Sequence, residues 1–473
     1  LDAGRAALER AFALDPFTLW YKNTLDLLDK MKTFRTIDRG RFRVVAPPEE
    51  ADLLALYIVP LLEQAYDSLA VRYGYKPPTP IRLEFYRYHA DFSVRTVGLA
   101  GLGALGVSFG SLLAMDTPNG REKGQFNWGS TAWHELTHAF TLGASDHRVP
   151  RWLSEGLSVL EERRVGRGWG ADATVSYVLA MANGTLRPIS QLSDGFLRPR
   201  FPEETQFSYY AASLFCEMVE ASRGAAALPA MLKGYRDGMD TPGVFQKVLG
   251  TTPRQIDAEF EAYTQRKFAL ALGAVRGATP TDSSGGKFVA TMREGVAKMG
   301  SDRNAARALF EQARAMFPEY GGEDGPSWYL AEMARAANDT TRALTFVEYV
   351  TSRNETAWEA NMMEADLREA RGDKTGAIRA LDRLNWIWPY DPLVHVRLAT
   401  LSAAQGDRAR AVLERRAIIA MGPTDLLDAR YELARALRDA GDIAGARREL
   451  LQVLEEAPSF EKAQALLLEL RGK

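Results

Sequence analysis

Three Gly-Asp pairs, Gly372-Asp373, Gly406-Asp407 and Gly441-Asp442, recur 34 and 35 residues apart near the C-terminus. Ala377, Ala411 and Ala446 follow each pair by five positions, and Pro389, Pro423 and Pro458 come twelve after each alanine. A small residue fits where two helices cross, and a proline ends the second helix of each unit. Two looser units precede these: Ala306, Phe310, Ala313 and Pro318, then Asn338-Asp339 with Ala343. One helix pair cannot bury its apolar face alone, so five units stacked from about 287 to 459 predict a solenoid. Glu461 to Leu470 would cap it.

A different signal lies upstream. Residues 134–138 read His-Glu-Leu-Thr-His, and seventeen residues after the second His stands Glu155, in Trp152-Leu153-Ser154-Glu155-Gly156. On a helix, His134 and His138 are one turn apart on one face, whereas Glu135 is rotated by about 100° from His134. Two imidazoles and the Glu155 carboxylate would make a His₂Glu set for Zn²⁺ with a fourth position open, leaving Glu135 beside the metal as a general base. The chain has 5 His in 473 residues, so a His pair at this spacing arises by chance only about 4% of the time, and less often with Glu after the first His. Trp133, Ala139 and Phe140 surround the pair with apolar groups, and Ser130 or Thr131 would cap the helix. Cys216 is the single cysteine, so an internal disulfide is excluded and any metal must be held by His and carboxylate.

Thr141 and Ala144 stand where a metzincin needs Gly and His. The downstream W-L-S-E-G segment instead resembles the gluzincins, zinc metallopeptidases in which a glutamate on the next helix completes the metal site. Together with the 34-residue period, the chain resembles bacterial peptidase MA-like domains fused to tetratricopeptide repeats. That resemblance covers roughly residues 40–270 plus the repeats. It implies an edge strand that pairs with an extended substrate, for which Leu105 to Ala114 is the candidate. It also implies a tyrosine at a helix start that stabilises the oxyanion. Tyr209 is the first choice and Tyr210 the second, in Phe207-Ser208-Tyr209-Tyr210-Ala211. The implied activity is peptide-bond hydrolysis, with the repeats docking a substrate or a protein partner. The alternative is a repeat-based interaction scaffold whose peptidase-like domain is vestigial or highly restricted.

These readings predict an α+β zincin-like catalytic domain followed by an all-α tetratricopeptide-repeat solenoid. Residues 1–36 would be the end of an N-terminal repeat and a connecting helix, 37–272 the catalytic domain, 273–286 a Gly/Ser-rich linker separating the halves, and 287–473 the solenoid. Strands are expected at Arg41–Val45 and Ile81–Tyr88, with a long helix from Glu49 to Tyr73. Asn183 to Thr205 would be a loop-rich wall of the cleft. The literal G-x-G-x-x-G at Gly101 to Gly106 lacks the following helix of a dinucleotide site and is read as a loop running close to the cleft. His89 is expected to be structural, His147 to lie on the surface, and His395 to sit in a repeat helix without a visible partner.

A net charge of -2 makes no electrostatic case for nucleic acid or an anionic membrane, and no eighteen-residue apolar run is present. The first residues read like the tail of a repeat within something longer. The expected location is the bacterial periplasm or the exterior, with the cytoplasm as the alternative.

Overall fold

A computed structural model describes residues 2–166, 168–170, 173–275 and 286–472. The chain opens with a helix pair, α1 (Asp2–Leu14) and α2 (Leu19–Met31). Five strands follow: β1 (Arg35–Arg39), β2 (Phe42–Ala46), β3 (Ile81–Tyr86), β4 (Gly106–Ser108) and β5 (Leu112–Asp116). They form one sheet in the order β1-β2-β3-β5-β4. The β2–β3 and β3–β5 pairs are parallel, whereas β1–β2 and β4–β5 are antiparallel. β1 begins at Arg35, so the expected boundary at residue 36 cuts through a strand. Its largely exposed Arg-Thr-Ile-Asp-Arg sequence carries little of the apolar alternation that announces strands.

Parallel neighbours need crossovers, and two helices supply them. α3 (Pro48–Tyr73) joins β2 to β3, and α4 (His89–Val97) lies between β3 and the β4–β5 hairpin. Among the described helices, α3 alone is long and apolar enough to cross a membrane by length and composition. Fourteen of its side chains are buried, Leu54, Ile58, Leu62 and Leu69 completely. Its apolar character is used against the sheet and against the helices at 128–144 and 408–420.

The expected strand from Leu105 to Ala114 is two strands. Phe109, Gly110 and Ser111 turn the chain, with Gly110 at φ 80°, and β4 returns as the free edge of the sheet. The remainder of this half is helical: α5 (Trp128–Ala144), α6 (Arg151–Arg164), α7 (Val175–Ala182), α8 (Leu192–Leu197), α9 (Glu204–Arg223), α10 (Ala227–Arg236), α11 (Thr241–Val244), α12 (Pro253–Lys267) and α13 (Ala269–Val275). Cys216 is fully buried on α9.

The repeats are five antiparallel helix pairs: α14 (Gly286–Lys298) with α15 (Arg303–Met316), α16 (Pro326–Ala336) with α17 (Thr340–Thr351), α18 (Trp358–Ala370) with α19 (Lys374–Ile387), α20 (Pro392–Ala404) with α21 (Arg408–Ala420), and α22 (Leu426–Asp439) with α23 (Ile443–Glu456). α24 (Glu461–Glu469) closes the stack. The Gly-Asp pairs now have a mechanism. Gly372, Gly406 and Gly441 adopt φ of 74°, 84° and 86°, a left-handed turn that glycine enters without a Cβ penalty. The next Asp caps the second helix, its carboxylate accepting the backbone N–H of Gly376, Arg410 or Gly445. Asn338 makes the same turn at φ 57°, and Asp339 caps α17. Asp302 caps α15 in the looser first unit. Ala306, Ala343, Ala377, Ala411 and Ala446 are all buried at the crossings.

The two halves are not held apart. Residues 276–285, the middle of the expected linker, lie outside the described residues, but the elements on either side share one apolar core. Trp386 of α19 packs edge-on or tilted against Trp128, Trp169 and Tyr57, with ring centroids 5.0, 6.0 and 6.3 Å away. The Trp128 indole N–H donates to the Asn385 carbonyl at 2.8 Å. His395, expected to lack a partner, is completely buried in this seam. Its Nδ1 lies 2.7 Å from Glu414 Oε2 and its Nε2 lies 2.8 Å from the Pro389 carbonyl. Tyr57 of α3 donates to the same Glu414 oxygen at 2.7 Å. Glu414 lies on the other helix of the pair and Tyr57 stands 338 residues away in the chain, so no pattern within one helix foretells them.

Candidate metal centre

α5 carries both histidines, and its first turn explains its start. Asn127, rather than Ser130 or Thr131, is the N-cap, its side-chain oxygen accepting the Ser130 N–H at 2.9 Å. Ser130 has another role: its hydroxyl donates to Glu162 at 2.9 Å. α6 packs against α5 and presents Ser154, Glu155 and Glu162 to it. Gly156 permits the close approach of α9 behind α6, because a Cβ there would meet the Ala212 carbonyl at 2.6 Å.

The expected ligands come together. Glu155 Oε2 lies 3.1 Å from His134 Nε2 and 3.1 Å from His138 Nε2. Donor atoms around one tetrahedral zinc, each about 2 Å from the ion, lie about 3.3 Å apart, so the spacing suits a shared cation. His134, Glu135 and His138 also place one donor atom each within 4.8 Å of one another. The carboxylate that touches both imidazoles, however, is that of Glu155.

Outer partners set the tautomers. His134 Nδ1 lies 2.5 Å from Glu162 Oε1. A carboxylate accepts, so in the neutral ring that nitrogen would carry the proton and leave Nε2 to ligate a metal. His138 Nδ1 lies 2.8 Å from Ser154 Oγ, and Ser154 is in turn 2.8 Å from Thr141 Oγ1. Arg151 Nε donates to Glu155 Oε1 at 3.0 Å, leaving Oε2 to face the histidines.

The electrostatics follow from burial and these contacts. Burial opposes a charged imidazole at His134, yet hydrogen bonds to Glu155 and Glu162 hold its pKa well above the usual histidine value. Burial likewise opposes the Glu155 carboxylate, but the His138 charge and hydrogen bonds from both histidines keep its pKa well below the ordinary range. At Glu135 burial wins: its pKa is pushed up, with His138 and His134 opposing. Glu135 is 5% exposed, and its Oε2 is buried without a hydrogen-bond partner. Buried carboxylate oxygens seldom stay unsatisfied in structural roles. An unsatisfied acid oxygen beside a His₂Glu set fits a proton acceptor at a divalent metal. The donor set, two neutral-capable imidazoles and a carboxylate, fits Zn²⁺.

The edge strand reaches this carboxylate. A Cβ at Gly106 would lie 2.7 Å from Glu135 Oε1, so only glycine lets β4 run this close. The third glycine of the literal G-x-G-x-x-G therefore spaces the cleft, consistent with a loop passing near it. Of the two tyrosines, Tyr209 faces the site: its ring centroid is 6.2 Å from that of His134, and its hydroxyl is 3.5 Å from Arg151 Nη2. Tyr210 does not. One residue further round α9, it is buried against Tyr177 at 4.8 Å and Phe268 at 6.4 Å, and it is a core residue. The Asn183–Thr205 segment forms a wall as expected but is partly helical, with Phe196 of α8 stacked edge-on to Tyr209 at 4.9 Å.

The other histidines stand clear of the site. His89 opens α4 rather than ending β3, and it is satisfied by Asp116 Oδ2 at 2.9 Å and the Leu102 carbonyl at 2.6 Å. His147 is exposed in the turn after α5, at φ 60°. Glu162, Arg151 and Ser154 were missed in the sequence reading. Glu162 lies seven residues, two turns, beyond Glu155 on the same face, and Arg151 lies four before it. Helical phase from Glu155 could have nominated both.

Comparison with known proteins bears on the other half of the chain. Residues 428–459, the α22–α23 pair, match the tetratricopeptide repeat. The chain thus contains a tetratricopeptide repeat, and the glycine-or-asparagine turn with its Asp cap recurs in three preceding pairs. No curated protein matches. Among solved structures, the chain is similar to one titled "Crystal structure of APC/C hetero-tetramer Cut9-Hcn1", at 11% identity. That match covers 73% of this chain and 71% of the other, with a TM-score of 0.23.

Proposed function

We propose that this protein is a tetratricopeptide-repeat interaction scaffold that carries a zinc-dependent peptide-hydrolase site of gluzincin type. Stacked repeats of this kind offer an extended concave surface for protein partners, and the family match supports that part of the reading. The hydrolase part rests on one observation: a single Glu155 oxygen 3.1 Å from the Nε2 atoms of both His134 and His138.

His134, His138 and Glu155 would hold Zn²⁺, which when bound supplies Lewis acidity and brings the pKa of water towards about 7. The chain's own residues supply the rest. Glu135, raised in pKa by burial, takes the proton of the attacking water and returns it to the leaving amine nitrogen. The Tyr209 hydroxyl, held near Arg151, donates to the oxyanion that develops on the scissile carbonyl. β4 offers free main-chain groups to an extended peptide lying beside Glu135. Tyr210 has no part in this scheme.

The second reading, a scaffold whose site is vestigial or confined to one partner, is favoured by the family match falling on a repeat pair alone. Titrating Zn²⁺ into metal-free protein, followed by incubation with a mixed peptide library, separates the two. The hydrolase reading expects stoichiometric zinc and cleavage. Stoichiometric zinc with every peptide intact would establish the scaffold reading, and no zinc uptake would remove the metal centre itself.

A further inference from the structure

Besides the α19 packing on α5, the repeat array reaches both the start of α5 and the segment after α6 through a single turn. Residues 352–357 connect α17 to α18. The Glu355 carbonyl accepts the Asn127 Nδ2–H at 3.1 Å, at the N-cap of α5. The Glu355 carboxylate accepts the Gly170 N–H at 3.0 Å, in the segment beyond the end of α6. That segment lies tightly on both sides. A Cβ at Gly170 would meet the Arg163 side chain at 2.5 Å and the Val159 carbonyl at 3.2 Å, and one at Gly168 would meet the Thr351 carbonyl at 2.7 Å.

From Asn127 the hydrogen bonds continue without a gap to the ligand. Asn127 Oδ1 accepts the Ser130 N–H at 2.9 Å, and the Ser130 hydroxyl donates to Glu162 Oε2 at 2.9 Å. Glu162 Oε1 accepts from His134 Nδ1 at 2.5 Å. Groups that orient a ligating histidine are part of what sets metal affinity. Here the outermost link belongs to the repeats.

We infer that Glu355 is a positioning residue for the metal centre, pinning the start of α5 and the segment that follows α6 so that His134 and Glu155 converge. The inference rests on the zinc reading above and adds that the repeats set how well the site is formed. Removing an adjacent outer partner typically lowers metal affinity 10- to 100-fold, so the Glu355 link, three steps beyond Glu162, should cost less, about three- to tenfold.

The test measures the Zn²⁺ dissociation constant by chelator competition in the full chain, alongside the thermal midpoint. Asn127→Asp keeps the helix cap, with a charge that suits a helix N-terminus, but it loses the donor to Glu355. Glu355→Ala removes the acceptor of the Gly170 N–H, and Glu355→Gln keeps one. The expected result is three- to tenfold weaker zinc in Asn127→Asp and Glu355→Ala, with Glu355→Gln at the wild-type value. Wild-type affinity in both weakened variants, or a Glu355→Gln as weak as Glu355→Ala, overturns the inference and leaves the zinc site standing. A wild-type chain that binds no zinc overturns both together.

Discussion

Two buried clusters in this chain are built from the same parts, histidine and glutamate, and end in opposite states. In the seam between α3 and the repeats, His395 uses both ring nitrogens. Glu414 uses both oxygens, one towards His395 and Tyr57 and the other towards Arg410. At α5 and α6, both Nδ1 atoms are likewise tied down, but the two Nε2 atoms share one carboxylate oxygen, and the neighbouring Glu135 Oε2 has no partner. A saturated cluster locks two elements together. An unsaturated one, slightly more open to solvent, suits the metal-holding role proposed above.

Substitutions can break or sharpen that contrast. Glu135→Gln removes the proposed base while leaving the proposed ligands intact, so peptide turnover should fall by roughly 10⁴-fold with zinc content by metal analysis unchanged. Retained turnover would make the unsatisfied oxygen a coincidence. In the saturated cluster, Glu414→Gln should leave zinc binding alone and lower unfolding stability by about 3 kcal/mol, as breaking one side of a buried ionic network does.

That variant should also change the response to acid. Burial disfavours the Glu414 carboxylate, but the His395 hydrogen bond and the Arg410 charge hold its pKa below the ordinary value. A depressed carboxylate pKa contributes stability that is complete above the unfolded value of about 4.3, and this is lost as pH falls through the lower folded value. Thermal melts at stepped pH should therefore show a steeper acid loss in the wild type than in Glu414→Gln. Parallel curves would mean the network carries no linkage.

Smaller effects refine the unsaturated side. Tyr209→Phe should lower turnover by about 10²- to 10³-fold, whereas Tyr210→Phe should leave the catalytic rate near wild type. The reverse order would exchange their roles. Glu162→Ala should weaken zinc by about 10- to 100-fold through loss of its hold on His134. A chelator competition showing wild-type affinity would mean that the short Glu162 contact does not tune the ligand.

How much of this was legible before the coordinates depended on the reach of each interaction. The repeats were read correctly to within a residue or two, because every cap and crossing recurs within one helix pair. The convergence of His134, His138 and Glu155 was read from helical phase and one inter-motif spacing. The β4–β5 hairpin reads as one strand because Phe109-Gly110-Ser111, with no proline or Asn-Gly pair, gives little turn signal between two apolar stretches. The choice of Tyr209 over Tyr210 turned on about 100° of helix rotation, which sequence left undecided and the packing of Tyr210 on Tyr177 resolved.

What the sequence by itself determined was therefore the local chemistry: which side chains recur at helical spacing, which residues can cap or turn, and which donors suit a metal. Only the tertiary structure decided that His395 has a purpose, that Gly106 spaces the edge strand from Glu135, and that Glu355 of the repeats bonds to the start of α5 and to the segment after α6. Those outcomes hang on contacts between residues tens to hundreds of positions apart. Such contacts follow from how whole helices pack, and no periodicity within a single element records them.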